Sequence, residues 1–395
     1  MATRINSTAI RRVNRVHLFH ALRRHPESSQ TDLQRLTGLD KATTSMVVAQ
    51  FLEEGLLTRG EPVCVGRVGR PESALSISPA AGIFVGARLE PRKIRLITTD
   101  LAGSPLQRLS LPGSTDIHQA IALFHEGFNR ITEATGPELS VRGIGVGVPA
   151  LMDRSGGLIL APNLGWQSLP IRHLLQEDLD APVYVDNDAN AAAMAERMFG
   201  ACQHSENFVY LSCHSGIGAG LFLEGRLYRG TQGFSGEVGH VTVVAEGRAC
   251  GCGKRGCLET YASEAGILLS LSERGCWHED LVAVAEAASH HDPIVLEVLE
   301  QVGLSLGLAL SALVNILNPE KVVLGGNLST VFEFLKEGLH RSLDAHAMAP
   351  HRNALAVILS PLGSEVVPMG GIALAMDGFL AAPHLDASLR PTHAM

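Results

Sequence analysis

Three hundred and ninety-five residues, 46% hydrophobic and 18% charged, describe a well-buried globular chain of two or three domains and exclude a disordered one. No run of 18 uncharged apolar residues occurs and no apolar core follows the N-terminal arginines, so neither a spanning helix nor a secretory leader is expected. Cys64, Cys202, Cys213 and Cys276 stand singly, which argues against a disulfide framework and makes a reducing cytoplasm the expected compartment.

The net charge of −8 is unevenly spread. Residues 1–78 carry ten arginines and Lys41 against seven acidic groups, a net +4 that leaves −12 on the rest. A basic head on an acidic body suits a nucleic-acid-binding module joined to a soluble sensor.

Apolar side chains at 13, 16, 18, 19, 21 and 22 predict a helix from Val13 to His25, ended by Pro26. Ser29 to Asp32 is a capping-box-like start for a short helix through Leu33 and Leu36. Gly38 makes the turn, and Asp40 caps a third helix from Lys41 to Glu54, ended at Gly55. Two short helices joined by a glycine-containing turn read as a helix-turn-helix. Lys41, Thr43, Ser45 and Met46 then lie where a recognition helix meets base edges. Leu56 to Arg59 and Ala74 to Ile77 read as strands around the turn Gly66 to Pro71. That is a wing whose Arg67 and Arg70 suit phosphate or minor-groove contact. The plain alternative is a small helical dimerisation module with a solvated basic face.

Beyond residue 78 strands and helices alternate, which is an α/β pattern. Ile83 to Ala87 and Ile94 to Ile97 are strands around Pro91. Val141 to Val148 is another, with Gly143, Gly145 and Gly147 allowing close backbone approach. Val183 to Val185 leads into Asn187-Asp188 and a helix from Ala189 to Phe199. Phe208 to Cys213 and Leu221 to Leu223 are strands flanking a glycine-rich loop, Ser215 to Gly220. A helix from Val302 to Leu317 precedes a strand, Lys321 to Leu324, and Gly325-Gly326.

The most specific cluster is His240 with Cys250, Cys252 and Cys257, spaced H-x9-C-x-C-x4-C with glycines between the cysteines. Tight turns let neighbouring thiolates aim at one point, and a Cys3His set is a closed tetrahedral shell for structural zinc, one per chain. The plain alternative is three buried small hydrophobes and a core histidine.

Taken together, the segment Asp186-Asn187-Asp188-Ala189-Asn190, the segment Gly236-Glu237-Val238-Gly239-His240 and the cysteine loop through Glu259 resemble the ROK family of sugar kinases and sugar-responsive repressors. The resemblance spans about residues 80 to 380. It implies a winged helix-turn-helix head (1–78, including the Gly69-Arg70-Pro71 wing) and a two-lobed, actin-like, ribonuclease-H-like sugar-kinase body (79–395). It also implies a sugar shell of Asn187, Asp188, Glu237, His240 and Glu259, joined by Asn163 of Pro162-Asn163-Leu164-Gly165-Trp166. Carboxylates and amides suit sugar hydroxyls, which both donate and accept. Read singly, Glu237 and Glu259 would be solvated carboxylates and Asn187 a turn residue.

Asp188 matches the general base of the family's kinases. Their first phosphate loop reads D-x-G-G-T, whereas here Arg88 to Lys93 has no glycine and Pro91 lacks an N–H. Arg88, Arg92 and Lys93 can draw phosphate by charge alone. The expected function is therefore a sugar-sensing repressor with no catalytic residue. Its partners are double-stranded operator DNA, a hexose or amino-sugar inducer, free or 6-phosphorylated, and a second copy in a dimer or tetramer. The alternative is a ROK-type sugar kinase, phosphorylating a hexose or N-acetylhexosamine, with a fused DNA-binding domain. A third reading is induction by a docked transport protein.

Overall fold

A computed structural model describes residues 7–63 and 72–381. The head opens with α1 (Ser7–Arg24), α2 (Gln30–Thr37) and α3 (Lys41–Glu53). Ser29 and Asp32 form the reciprocal capping box of α2, and Gly38 ends it in the left-handed conformation that glycine permits. Asp40 caps α3 through the Thr43 N–H at 2.9 Å. The strands β1 (Leu57–Val63) and β2 (Glu72–Ile77) pair antiparallel as a wing. The wing tip, with Arg67 and Arg70, lies outside the described residues. Helix α1 starts six residues before the expected Val13, at Ser7. Of the extra residues Ile10 is exposed, so periodic burial could not have announced it.

The first lobe contains β3 (Ile83–Leu89), β4 (Lys93–Asp100), β5 (Pro105–Pro112), α4 (Ile117–Thr135) and β6 (Val141–Val148). A three-stranded flap follows, β7 (Leu151–Met152), β8 (Leu158–Ala161) and β9 (Trp166–Leu169). Then come α5 (Ile171–Gln176), β10 (Val183–Asn187) and α6 (Asp188–Met198). The second lobe contains β11 (Phe208–Cys213), β12 (Ile217–Leu223) and β13 (Arg226–Tyr228). Its helices are α7 (Glu259–Ala262), α8 (Glu264–Ser272), α9 (Leu281–Ser289) and α10 (Pro293–Leu317). After them run β14 (Lys321–Gly326), α11 (Phe332–His346), α12 (Ala349–Ala354) and β15 (Ala356–Leu359). The chain then returns to the first lobe through α13 (Val366–Ala381).

The two sheets repeat one topology. The first runs β10-β6-β3-β4-β5 and the second β13-β12-β11-β14-β15. In each, the first three strands are antiparallel neighbours and the last two lie parallel beside the first. This is the ribonuclease-H-like order, present twice, as the two-lobed expectation requires. The expected glycine loop is shorter than the sequence suggested. Residues from Ile217 onward already pair with β11, which leaves His214 to Gly216 as the turn.

One buried cluster continues from Leu18, Phe19, Leu22 and Phe51 of the head into Met198 of α6 and Val366, Ile372 and Phe379 of α13. Helix α10 and the segment Gly363–Ala381 are long and apolar enough to cross a membrane. More than half of each is buried in the protein, which makes them core helices.

Candidate functional site

Between the lobes lies a cleft of about 430 Å³. All six residues expected in a sugar shell line it: Asn163, Asn187, Asp188, Glu237, His240 and Glu259. They come from the flap, from the β10–α6 junction, and from the Glu237–His240 segment and the start of α7 in the second lobe. Ala150 and Leu151 line the cleft as well.

Each polar group is held by its surroundings. Asn163 Nδ2 donates to Ser215 Oγ at 3.1 Å across the cleft. The Asn187 carboxamide oxygen caps α6, accepting the Ala189 and Asn190 N–H groups at 2.9 and 3.1 Å. Its nitrogen donates to the Ala150 carbonyl at 3.0 Å, so much of this amide's capacity is spent on the scaffold. Glu259 Oε2 accepts the Ile217 N–H at 2.9 Å. Loss of hydration pushes the Glu237 carboxyl up; His240 opposes this, and the Glu259 and Asp188 carboxylates add to it.

Arg88 behaves differently from the expectation of a phosphate-attracting charge. Its side chain is 2% exposed. Nη2 donates to Asp188 Oδ2 at 3.0 Å, and Nη1 lies 3.2 Å from Glu90 Oε1. Nη1 also lies 3.1 Å from His214 Nε2. The guanidinium only donates, so His214 Nε2 is the acceptor and the proton sits on Nδ1, which meets Asn327 Oδ1 at 3.2 Å. Burial first, and the Arg88 charge second, hold the His214 imidazole down to about 3, consistent with a neutral ring. Arg92 and Lys93 are exposed on the β3–β4 turn. Sequence reasoning missed His214 as an Arg88 partner and Glu90 as a cleft carboxylate. His214 stands 126 residues from Arg88, so no spacing announced that contact, and Glu90, though only two residues from Arg88, is brought to the cleft by the fold.

Beside the cleft, His240, Cys250, Cys252 and Cys257 bring their donor atoms within 4.8 Å of one another. The Cys252 and Cys257 sulfurs are 3.7 Å apart, and Cys250 Sγ is 3.6 Å from His240 Nδ1. A tetrahedron with metal–sulfur bonds of about 2.3 Å and a metal–nitrogen bond of about 2.0 Å has edges of about 3.8 and 3.5 Å. Those two donor pairs match tetrahedral edges, and the four donors together, all within 4.8 Å of one another, could hold one metal ion. Gly256 permits the loop its close return, since a Cβ there would lie 1.7 Å from the Val244 carbonyl oxygen. With Nδ1 turned to the sulfurs, Nε2 of His240 faces Glu237 Oε2 at 3.7 Å.

On the head, Lys41 and Met46 are exposed on α3, while Thr43 and Ser45 are half-buried. Thr43 Oγ1 donates to Asp40 Oδ2 at 2.6 Å, so its hydroxyl proton is committed to the cap. Ala42, Ala49 and Gln50 share the exposed face and were not singled out in the sequence.

Residues 83–377 match the ROK family model. The chain belongs to the ROK family. Residues 13–67 match a MarR family model, a stretch that holds most of α1 with α2, α3 and β1 and stops short of β2. The chain is 30% identical over 381 residues to the xylose repressor of Bacillus subtilis strain 168, covering 95% of this chain and 98% of that one. It is 36% identical over 245 residues to a glucokinase of Halalkalibacterium halodurans, 58% of this chain and 74% of that one. A ROK family transcriptional regulator of solved structure, homologous to the E. coli MLC protein, superposes with a TM-score of 0.82. That match covers 94% of this chain and 97% of the other at 24% identity, and it speaks to the fold.

Proposed function

We propose that this ROK protein is a sugar-responsive repressor that binds operator DNA through its head and releases it when a sugar closes the body. The head is taken as residues 1–78 and the body as 79–395. Lys41, Thr43, Ser45 and Met46 read the groove, and Arg67 and Arg70 hold the backbone. Two-fold operators require two heads at fixed spacing, so the working unit is a dimer or a pair of dimers. Its place is the cytoplasm, with the DNA.

The observation that carries this reading is the Arg88–Asp188 pair inside a cleft otherwise lined for a polyol. A phosphoryl-transfer site needs room and backbone donors for phosphate. Here an arginine stands at the start of the first phosphate loop and engages the base-equivalent carboxylate. His214 fills the start of the second loop. Gly325, a reminder of a phosphate turn, has a packing reason instead: a Cβ there would lie 2.0 Å from the Tyr210 hydroxyl. The sugar shell is Asn163, Asn187, Asp188, Glu237, His240 and Glu259. Zinc bound by His240, Cys250, Cys252 and Cys257 would be structural, fixing the His240 ring beside the sugar.

Glu90, Asp188, Glu237 and Glu259 line the cleft with Arg88 as the one arginine or lysine among the lining residues. Four carboxylates against one paired guanidinium favour an uncharged sugar over a phosphorylated one. The relative named a xylose repressor puts D-xylose first in a panel with D-glucose, N-acetyl-D-glucosamine and the 6-phosphates of the last two. A free sugar that binds the native state raises the melting temperature by mass action. The same sugar is expected to weaken DNA binding and to elicit no ATP turnover. The glucokinase relative supports the second reading. Sugar-dependent turnover in the usual kinase range of about 1–100 per second would establish it in place of the first.

A further inference from the structure

Helix α6 begins in the sugar cleft and ends under the DNA-binding head. Asn187 is its N-cap, Asp188 its first residue and Met198 its last. Its 11 residues make a rod of about 16 Å, at about 1.5 Å each. Ala189, Ala191, Ala192, Ala193 and Ala195 are buried along it. Small side chains let its neighbours come close. A Cβ on Gly370 of α13 would lie 2.1 Å from the Ala191 carbonyl oxygen, and one on Gly220 of β12 would lie 2.4 Å from that of Ala189. The rod is thus gripped by α13, on the first lobe, and by β12, of the second. A closely packed element of this kind moves with its neighbours and does not deform between them.

At its far end Met198 shares a buried cluster with Leu18, Phe19 and Leu22 of the head, and one polar contact from the head joins it there. The Met198 carbonyl is among those a helix leaves without an internal donor. Arg23 Nη2 of α1 donates to it at 2.7 Å. The Arg23 guanidinium also lies 5.0 Å over the Phe199 ring. A cation at a helix C-terminus is favoured by the helix dipole as well. Four residues earlier on α1, the Phe19 ring packs edge-on against Phe51 of α3 at 5.8 Å. A continuous set of contacts therefore joins the sugar-facing Asp188 to the helix proposed to read DNA.

We propose that Arg23 is the coupling residue of this regulator: lobe closure around a sugar tilts α6, and Arg23 passes that tilt to α1 and so to α3. The inference rests on the sensing function proposed above. Arg23 touches neither the cleft nor the exposed face of α3, so its loss should change the coupling between sites more than the affinity of either one.

The test uses full-length protein and a duplex selected from random DNA by the wild type. The duplex is titrated with and without saturating D-xylose, D-glucose or N-acetyl-D-glucosamine. In the wild type, one of these sugars is expected to weaken DNA binding by about 5- to 150-fold, the usual span of allosteric coupling. In Arg23→Ala, sugar affinity without DNA and DNA affinity without sugar should stay within about threefold of wild type, while the sugar effect on DNA falls below about threefold. Arg23→Gln, which retains an amide donor for the Met198 carbonyl, should fall between, and it carries the test if the alanine variant does not fold. An undiminished sugar effect in a folded Arg23 variant would overturn the inference and assign coupling to the apolar α1–α13 contact. A wild type whose DNA affinity responds to none of these sugars would overturn the sensing function itself, and this inference with it.

Discussion

Arg88 and Asp188, one hundred residues apart in the chain, meet at 3.0 Å inside the cleft between the lobes. The contact joins the end of β3 to the start of α6 and commits one Asp188 oxygen to a guanidinium. In the proposed sugar site Asp188 would then be a fixed acceptor for a hydroxyl. A charge-assisted hydrogen bond is worth roughly 1.5–3 kcal/mol. Asp188→Asn should therefore weaken sugar binding about tenfold or more, at about 1.4 kcal/mol per decade. The variant also leaves Arg88 with Glu90 as its remaining carboxylate, so its melting temperature should fall. Calorimetric titration and thermal melting check both. Unchanged sugar affinity in a folded Asp188→Asn protein would count against the assignment.

The Cys3His loop should carry one zinc per chain. Cys250→Ala should lose the metal, lower the melting temperature and weaken sugar binding, because His240 Nε2 lies 3.7 Å from Glu237 in the cleft. Metal analysis of purified protein, with sugar titration before and after chelation, reads this out. A Cys250→Ala protein with full zinc and full stability would refute it.

These two sites differ in how legible they were. The Cys3His loop could be read from spacing alone, because its four donors lie within 18 residues of one chain segment. The capping box at Ser29 and the turn at Gly38 were legible for the same reason, being local chemistry. The Arg88–Asp188–His214 cluster was not. It is assembled from three elements by two sheets, and only the fold brings them together. That Arg88 to Lys93 contains no glycine was visible in the sequence, whereas the contacts Arg88 makes were not. Similarly, the glycines from Gly218 onward were read as a loop because they lack side chains. Their place in β12 depends on pairing with β11.

On the head, Lys41 is exposed at the start of α3. As a groove contact it can pair with a guanine edge, so Lys41→Ala should relax base preference at one position, and loss of its charge should also reduce the salt slope. Gln50 lies on the same exposed face, and an amide there can pair with an adenine edge. Gln50→Ala should shift base preference at one position and leave the salt slope unchanged. Binding isotherms over a range of salt concentrations, with a selected duplex and a scrambled one, separate the two roles. A Lys41→Ala protein with unaltered base preference would refute its groove contact.

Two histidines should make the fold sensitive to mild acid. Burial first, then Arg23, Arg24, Arg197 and His17, hold His20 down to about 3, and His214 is held equally low by burial and Arg88, opposed by its bond to Asn327. The ordinary value is 6.5 in both cases. Both groups are therefore neutral when folded and take up a proton more readily when unfolded. Their contribution to stability is fully present above about pH 6.5 and is lost as the pH falls from there toward about 3. Each can add at most about 1.4 kcal/mol per pH unit to that slope. The two differ in what they hold. His20 Nδ1 is buried without a hydrogen-bond partner, whereas His214 is bonded to Arg88 and Asn327. His20→Leu should thus cost little at pH 7.5 and raise stability relative to wild type at pH 5. His214→Leu should flatten the same slope but destabilise at both pH values, because it strands the Arg88 and Asn327 groups. Denaturant titrations at pH 7.5, 6 and 5 measure the slopes, and a His20→Leu slope equal to that of the wild type would show that His20 is not the group being titrated.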